Sequence, residues 1–404
     1  MAAGLNSSEA LNARDVGRGL AIVAVMYGHA LAPWFMQGGD HFSYAAFVQW
    51  KFGAAFMMSF FFFLSGVGWR SNRRLGAAIQ QGLSLIIVAW LANIAFDIVR
   101  IGLSLAGLND ELGLSALGIG GFLRSELRLA LLTDTYSLDP MWFLGALGLV
   151  RILAALAVRG GDRVGLAMGV GVALLTIAAN EYGWRNVAQI TLLGPAFGFF
   201  LAGYALKRLW ARGGQALGAC AAVMVLALGL TAASFGLNQG CRWDASAICG
   251  ADWLNGRFGV AMIHGMFGNW GWFALTAIVG TIFASCLSIL LARYGAIVGA
   301  GLASLGRASM DLLIVNAFFL LLLNPVVSVV LAPHLPAQGV FFFVGLLTVT
   351  IVLNLLTRLI LARQLKQLRM LARKLAIAIV DTFAGAFANA AVMLKPYRVS
   401  REYD

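Results

Sequence analysis

An arginine and a histidine stand eleven residues apart in the run Arg18-Gly-Leu-Ala-Ile-Val-Ala-Val-Met-Tyr-Gly-His29, where every other side chain but one tyrosine is apolar or absent. On an α-helix that separation is about 20° from a whole number of turns, with a rise of about 16.5 Å. Both side chains therefore line one stripe. A guanidinium grips phosphate through paired hydrogen bonds, and an imidazole titrating near ~6.5 takes a proton from a hydroxyl. An anion held by Arg18 thus extends an arm toward His29. The alternative is structural, with the arginine snorkelling to headgroups and the histidine making a polar packing contact. Taken alone, such a pair is more often structural. A second basic group follows in SFFFFLSGVGWRSNRR, where Arg70, Arg73 and Arg74 crowd the start of the first span; alone, this is an ordinary cytoplasmic loop.

The elements that carry these residues follow from composition. The chain has 404 residues, 61% hydrophobic and 11% charged, whereas a water-facing domain carries about 25% charged residues. A water-soluble enzyme, a disordered scaffold and a free-standing nucleic-acid binder are excluded. The apolar runs have helical length and lack barrel alternation, so the fold class is all-α, a polytopic transmembrane bundle. Ten spans are expected, at 17–36, 52–69, 76–100, 141–158, 164–180, 188–206, 216–236, 270–291, 309–331 and 339–361. Threaded with the N-terminus inside, they leave 21 of the 29 lysines and arginines on the cytoplasmic side. The positive-inside rule then places both termini there and explains the net charge of +12 through topology and anionic lipid, not nucleic acid.

Three regions are expected: a cytoplasmic segment 1–16, the membrane domain 17–361 and a basic amphipathic tail 362–404. The opening residues lack an early basic region, so no cleaved leader is expected, nor any added soluble domain. The outer stretch 105–140 contains GFLRSELRLALLTDTYS, amphipathic enough to lie on the membrane surface. Cys241 and Cys249 share an outer loop where a disulfide is slightly favoured; Cys220 and Cys286 sit in apolar runs as packing residues. No spacing suggests a metal.

The Arg-x10-His pattern, followed by FFFLSGV and arginines, resembles the acyltransferase 3 family of membrane acyltransferases. Three further stretches agree: Met141-Trp142-Phe143-Leu144, PAFGFFLAGYALKR at 195–208 and LGRASMDLLIVNAFF at 305–319. The resemblance runs from about residue 11 to 361. It implies that acyl-coenzyme A binds on the cytoplasmic side as co-substrate, with no permanently bound cofactor, and gives its acyl group to a carbohydrate hydroxyl on the far side. Arg18, Arg70 and Arg73 would hold the phosphates and His29 would serve as general base, or else carry the acyl group itself. The chain departs from the family in having Val315 and Asn316 where many relatives have a histidine, and Gln80 and Gln81 where an arginine is usual.

Other polar residues have two readings each. Trp142 stacks on a sugar or belongs to the interfacial belt. Asp97 pairs with Arg100 on its own helix or orients the acceptor. Asp15 is read as a partner of Arg18, Asp311 as a solvated end charge, and Arg151 as a buried cation in need of an anion such as Asp97. His264 lies near the acceptor side with a structural role at least as well supported. The expected activity is transfer of an acyl group, acetyl above others, to an exported or cell-surface glycan at a bacterial inner membrane, beside polysaccharide synthesis or export machinery. The rival is a transporter of a small anionic metabolite.

Overall fold

A computed structural model describes residues 7–35, 42–70, 75–108, 117–133, 136–212, 217–238, 240, 259–332, 334–335 and 337–393, and all its named elements are helical. In chain order they are α1 (Ser7–Leu31), α2 (Tyr44–Ala54), α3 (Met57–Val67), α4 (Leu75–Leu105), α5 (Ile119–Leu132), α6 (Trp142–Arg159) and α7 (Asp162–Glu181). There follow α8 (Ile190–Arg212), α9 (Leu217–Ser234), α10 (Trp270–Tyr294), α11 (Ala296–Arg307), α12 (Ser309–Val326), α13 (Gly339–Ile360) and α14 (Ala362–Met393). Among the described residues eight stretches are long and apolar enough to cross a membrane, and α11 with α12, bent by 76°, makes a ninth. The shorter apolar α9 is the remaining expected span.

The second span departs from expectation. It runs Tyr44–Val67, begins earlier than residue 52, and breaks between α2 and α3. Ser43 starts it, its hydroxyl accepting from the Ala46 amide. At the break Phe56 leaves helical geometry, with φ −146°, and its buried ring packs against Gly280 of α10. The third span is longer than expected, to Leu105.

With no water to escape from inside the bilayer, membrane helices associate through close packing, which small residues permit. A Cβ at Gly66 would collide with the Phe200 carbonyl, and one at Gly203 with the Phe63 carbonyl, so α3 and α8 touch backbone to backbone. Between these glycines, Phe60 to Leu64 of α3 are all buried, which explains a sequence with no polar face. The same device ties α1 to α11, where Gly19 meets the Leu302 carbonyl and Gly306 the Asp15 carbonyl. With α2, α3, α10, α12 and α13 also against it, α1 is the hub.

Residues 362–393 of the tail form α14, packing Leu365, Ala372 and Ala376 inward and lying along α4. Asp311, expected as a solvated end charge, is instead buried and holds two arginines, Arg358 at 3.5 Å and Arg369 of α14. A carboxylate at a bent helix junction needs such partners once buried, and it anchors the tail.

The surface stretch is also a helix, α5, with Leu123, Leu127 and Leu131 along its exposed stripe. Its inner face carries Glu126, which accepts from Asn93 Nδ2 at 2.7 Å. The same Asn93 accepts from the Leu138 amide at 2.9 Å, while Asp97 takes Arg100 and the Ser137 hydroxyl, each at 3.2 Å. Asp97 is fully buried behind the segment leading into α6. Burial first, and then the Asp97 carboxylate, push Glu126 up to about 7. A carboxyl with a raised folded-state pKa holds its proton longer when folded, so its contribution to stability falls as pH rises from the ordinary value near 4.5 to 7. The protection of α5 against hydrogen exchange, after correction for the intrinsic pH dependence of amide exchange, should therefore fall across that window with a slope of about one proton. Glu126→Gln should flatten the slope; an unchanged slope would place the titrating group elsewhere.

Candidate active site

Two cavities open along α1, one at each end of the Arg18–His29 stripe. The larger, of about 980 Å³, is lined by His29, by Tyr27 two residues before it, and by α2, the start of α6 and the segment 259–266. His29 is half-buried, and its carbonyl accepts from Asn324 Nδ2 at 3.3 Å, just before the π-helical turn Val327–Leu331. This bond fixes the height of the histidine against α12. Among the described residues no protein hydrogen bond to the imidazole is found, which leaves both nitrogens available to a ligand. Tyr27 and Gln49 satisfy one another, the tyrosine donating at 2.6 Å.

Trp142 lines the same cavity from the first residue of α6, buried and braced edge-on by Phe143, with ring centroids 6.1 Å apart. The turn Asp139–Met141 before it is pinned by the Asn93–Leu138 bond, so the polar cluster around Asp97 supports the cavity wall from behind. Asp97 itself does not line the cavity. Its expected contact with substrate gives way to the intrahelical pair with Arg100, because Ser137 and Arg100 occupy both its oxygens.

Sequence reasoning passed over one participant and left another open. Asp139 and His264 both face the cavity, close enough for their charges to interact. They are far apart in the chain, and no local pattern links them. His264 ends the tight turn Met262–His264, which Gly265 closes at φ +65°; a Cβ there would also strike the Asn180 amide. Only glycine permits the reversal that presents His264.

The smaller cavity, about 220 Å³, lies at the opposite end of the stripe and is lined by Arg14, Arg18, Arg70, Arg151, Gln81, Ser65, Gly68 and Trp69. Arg14 precedes Arg18 by one turn and shares its face. Gly68 leaves room for it, since a Cβ there would stand 2.6 Å from Arg14 Nη1. Arg151 comes from α6, more than two turns beyond Trp142, and so joins Arg18 in place of the expected Asp97. Gln81 stands on α4. Asp15 pairs with Arg14 at 3.7 Å and Arg307 at 4.0 Å, where the sequence had suggested Arg18. Four guanidinium groups line this small volume, with no carboxylate among its described lining residues, and guanidinium is a group that binds phosphate through paired hydrogen bonds. Arg73, the remaining expected phosphate ligand, lies outside the described residues, as do Cys241 and Cys249. Cys220 and Cys286 are packing residues, the Cys220 thiol donating to the Cys286 carbonyl at 3.8 Å.

Pyrophosphate should accordingly bind the purified protein and raise its melting temperature. Arg18→Ala and Arg151→Ala should each weaken that binding roughly tenfold, or ~1.4 kcal/mol. Equal pyrophosphate affinity in wild type and both variants would remove the anion site.

Comparison with known proteins supplies the chemistry. A family model for an acyltransferase domain, that of the acyltransferase 3 family, matches residues 11–358. No curated protein matches the chain, and no solved structure does. The matched region contains α1 from Leu11 onward, both cavities and every candidate residue named above, and it decides between enzyme and transporter. The chain belongs to the acyltransferase 3 family and is a membrane acyltransferase.

Proposed function

We propose that the donor is an acyl-coenzyme A, acetyl-coenzyme A above others, held on the cytoplasmic side, and that the acceptor is a carbohydrate hydroxyl on the opposite side of a bacterial inner membrane. The observation that carries this reading is the pairing of an arginine-lined cavity with a histidine-lined one along a single helix, on which the rise from Arg18 to His29 is about 16.5 Å. Arg18, Arg70 and Arg151 grip the phosphates, with Arg14 and Gln81 filling out the donor site and Arg73 close by in sequence. The pantetheine arm follows α1 to the imidazole.

In the chemical step the acceptor oxygen attacks the thioester carbonyl carbon while His29 takes the hydroxyl proton. The tetrahedral centre collapses, the carbon–sulfur bond breaks, and the proton passes to the departing thiolate. Trp142 offers a flat face to the acceptor, and Asp139 and His264 offer hydrogen bonds to its hydroxyls. Asp97 and Arg100 act one layer back, holding the segment that carries Asp139.

Membranes with wild-type protein, given acyl-labelled coenzyme A and extracted surface glycan, should label the glycan. His29→Ala should lower the rate by roughly 10²–10⁴-fold at normal protein abundance. Arg18→Ala should mainly raise the apparent KM for the donor, since it removes a contact made before and during the chemistry. Undiminished transfer in both variants would refute the assignment.

A further inference from the structure

The larger cavity is chemically lopsided. Its wall is built from Phe35, Trp50, Phe52, Phe235 and paired methionines such as Met57 and Met58. With Tyr27 and Gln49 bonded to each other, the described polar side chains left to meet a ligand, apart from indole N–H groups, are His29, Asp139 and His264. A bare polysaccharide carries hydroxyls around every ring. Each one pressed unpaired against such a wall loses its water hydrogen bonds without replacement and weakens binding. Three polar groups serve one or two hydroxyls. At about 980 Å³ the space is also far larger than an acetyl group and sits at the upper end of the range for drug-sized ligands. Methionines let such a wall adapt to an irregular apolar shape.

From this we infer that the acceptor is amphipathic: a hydroxyl-bearing head presented to His29, Asp139 and His264, joined to a large apolar body that fills the aromatic and methionine wall. The inference rests on the proposed acyl transfer to an outer hydroxyl and narrows its acceptor class from polysaccharide to glycosides with an apolar aglycone. A long acyl chain on the donor is the competing occupant. It has no hydroxyls and leaves Asp139 and His264 without a function, whereas an amphipathic acceptor uses both ends of the cavity.

Gly53 offers the test position. It lines the cavity from α2, and a Cβ built on it meets nothing within 4 Å, so a side chain placed there, as in Gly53→Phe, has open space to start from and takes volume from the cavity wall. In nanodiscs, 2-naphthyl glucoside should bind at least tenfold more tightly than methyl glucoside, above empty-disc background. With acetyl-coenzyme A it should also be acylated with a kcat/KM at least tenfold higher. Gly53→Phe should abolish that preference while donor KM is unchanged. Equal binding of the two glucosides, or a preference that survives Gly53→Phe, overturns the inference. So does a Gly53→Phe effect confined to long-chain acyl donors, which would give the cavity to the acyl chain. Failure of the acyl-transfer reading is distinct: the naphthyl glucoside would bind but take up no acyl label.

Discussion

A charged or proton-accepting side chain inside a low-dielectric bundle is tolerated only where a partner, a ligand or water meets it, and this constraint organises the molecule around α1. The helix must carry Arg18 and His29 through a packed interior without either being smothered. It does so because its remaining faces are given to close contacts, glycine against carbonyl at Gly19 and Gly306 and apolar side chains at Val16, Ala21, Ile22 and Met26. One stripe is left for chemistry. The cavities at its two ends are the places where packing stops.

The supporting charges obey the same rule in a different way. Asp97, Asp311 and Glu126 are buried, and each is tied to named partners: Arg100 and Ser137, Arg358 and Arg369, and Asn93. These groups do not touch the cavities. They fix the elements that do, since the Asn93 cluster holds the turn before Trp142 and Asp311 ties the tail helix to the bent junction between α11 and α12. Charge that serves structure is met by a protein partner. His29 and the arginine cluster instead face the cavities.

Much of this was legible in the sequence, because hydropathy and helix geometry are local. The spans follow from apolar length, and the Arg18–His29 stripe from periodicity alone. The break between α2 and α3 was not legible, since it depends on Phe56 finding Gly280 on a distant helix. Arg151 was noticed as an expensive residue, yet its place beside Arg18 arises from packing of α6 that no spacing encodes. Asp139 and His264 meet only because a glycine turn reverses the chain after His264. Asp97 read as a candidate ligand, since a buried carboxylate looks alike in sequence whether it binds substrate or braces a wall.

The central claim is that donor and acceptor occupy opposite ends of one helix, so that transfer has a direction. The most direct test reconstitutes the protein in sealed vesicles with one fixed orientation and supplies labelled acyl-coenzyme A to one side and acceptor to the other. Product should form when the donor is on the side of the arginine cavity and the acceptor on the side of Trp142, and not in the reverse arrangement. Equal product in both arrangements, or product only when both substrates share a side, would contradict the account.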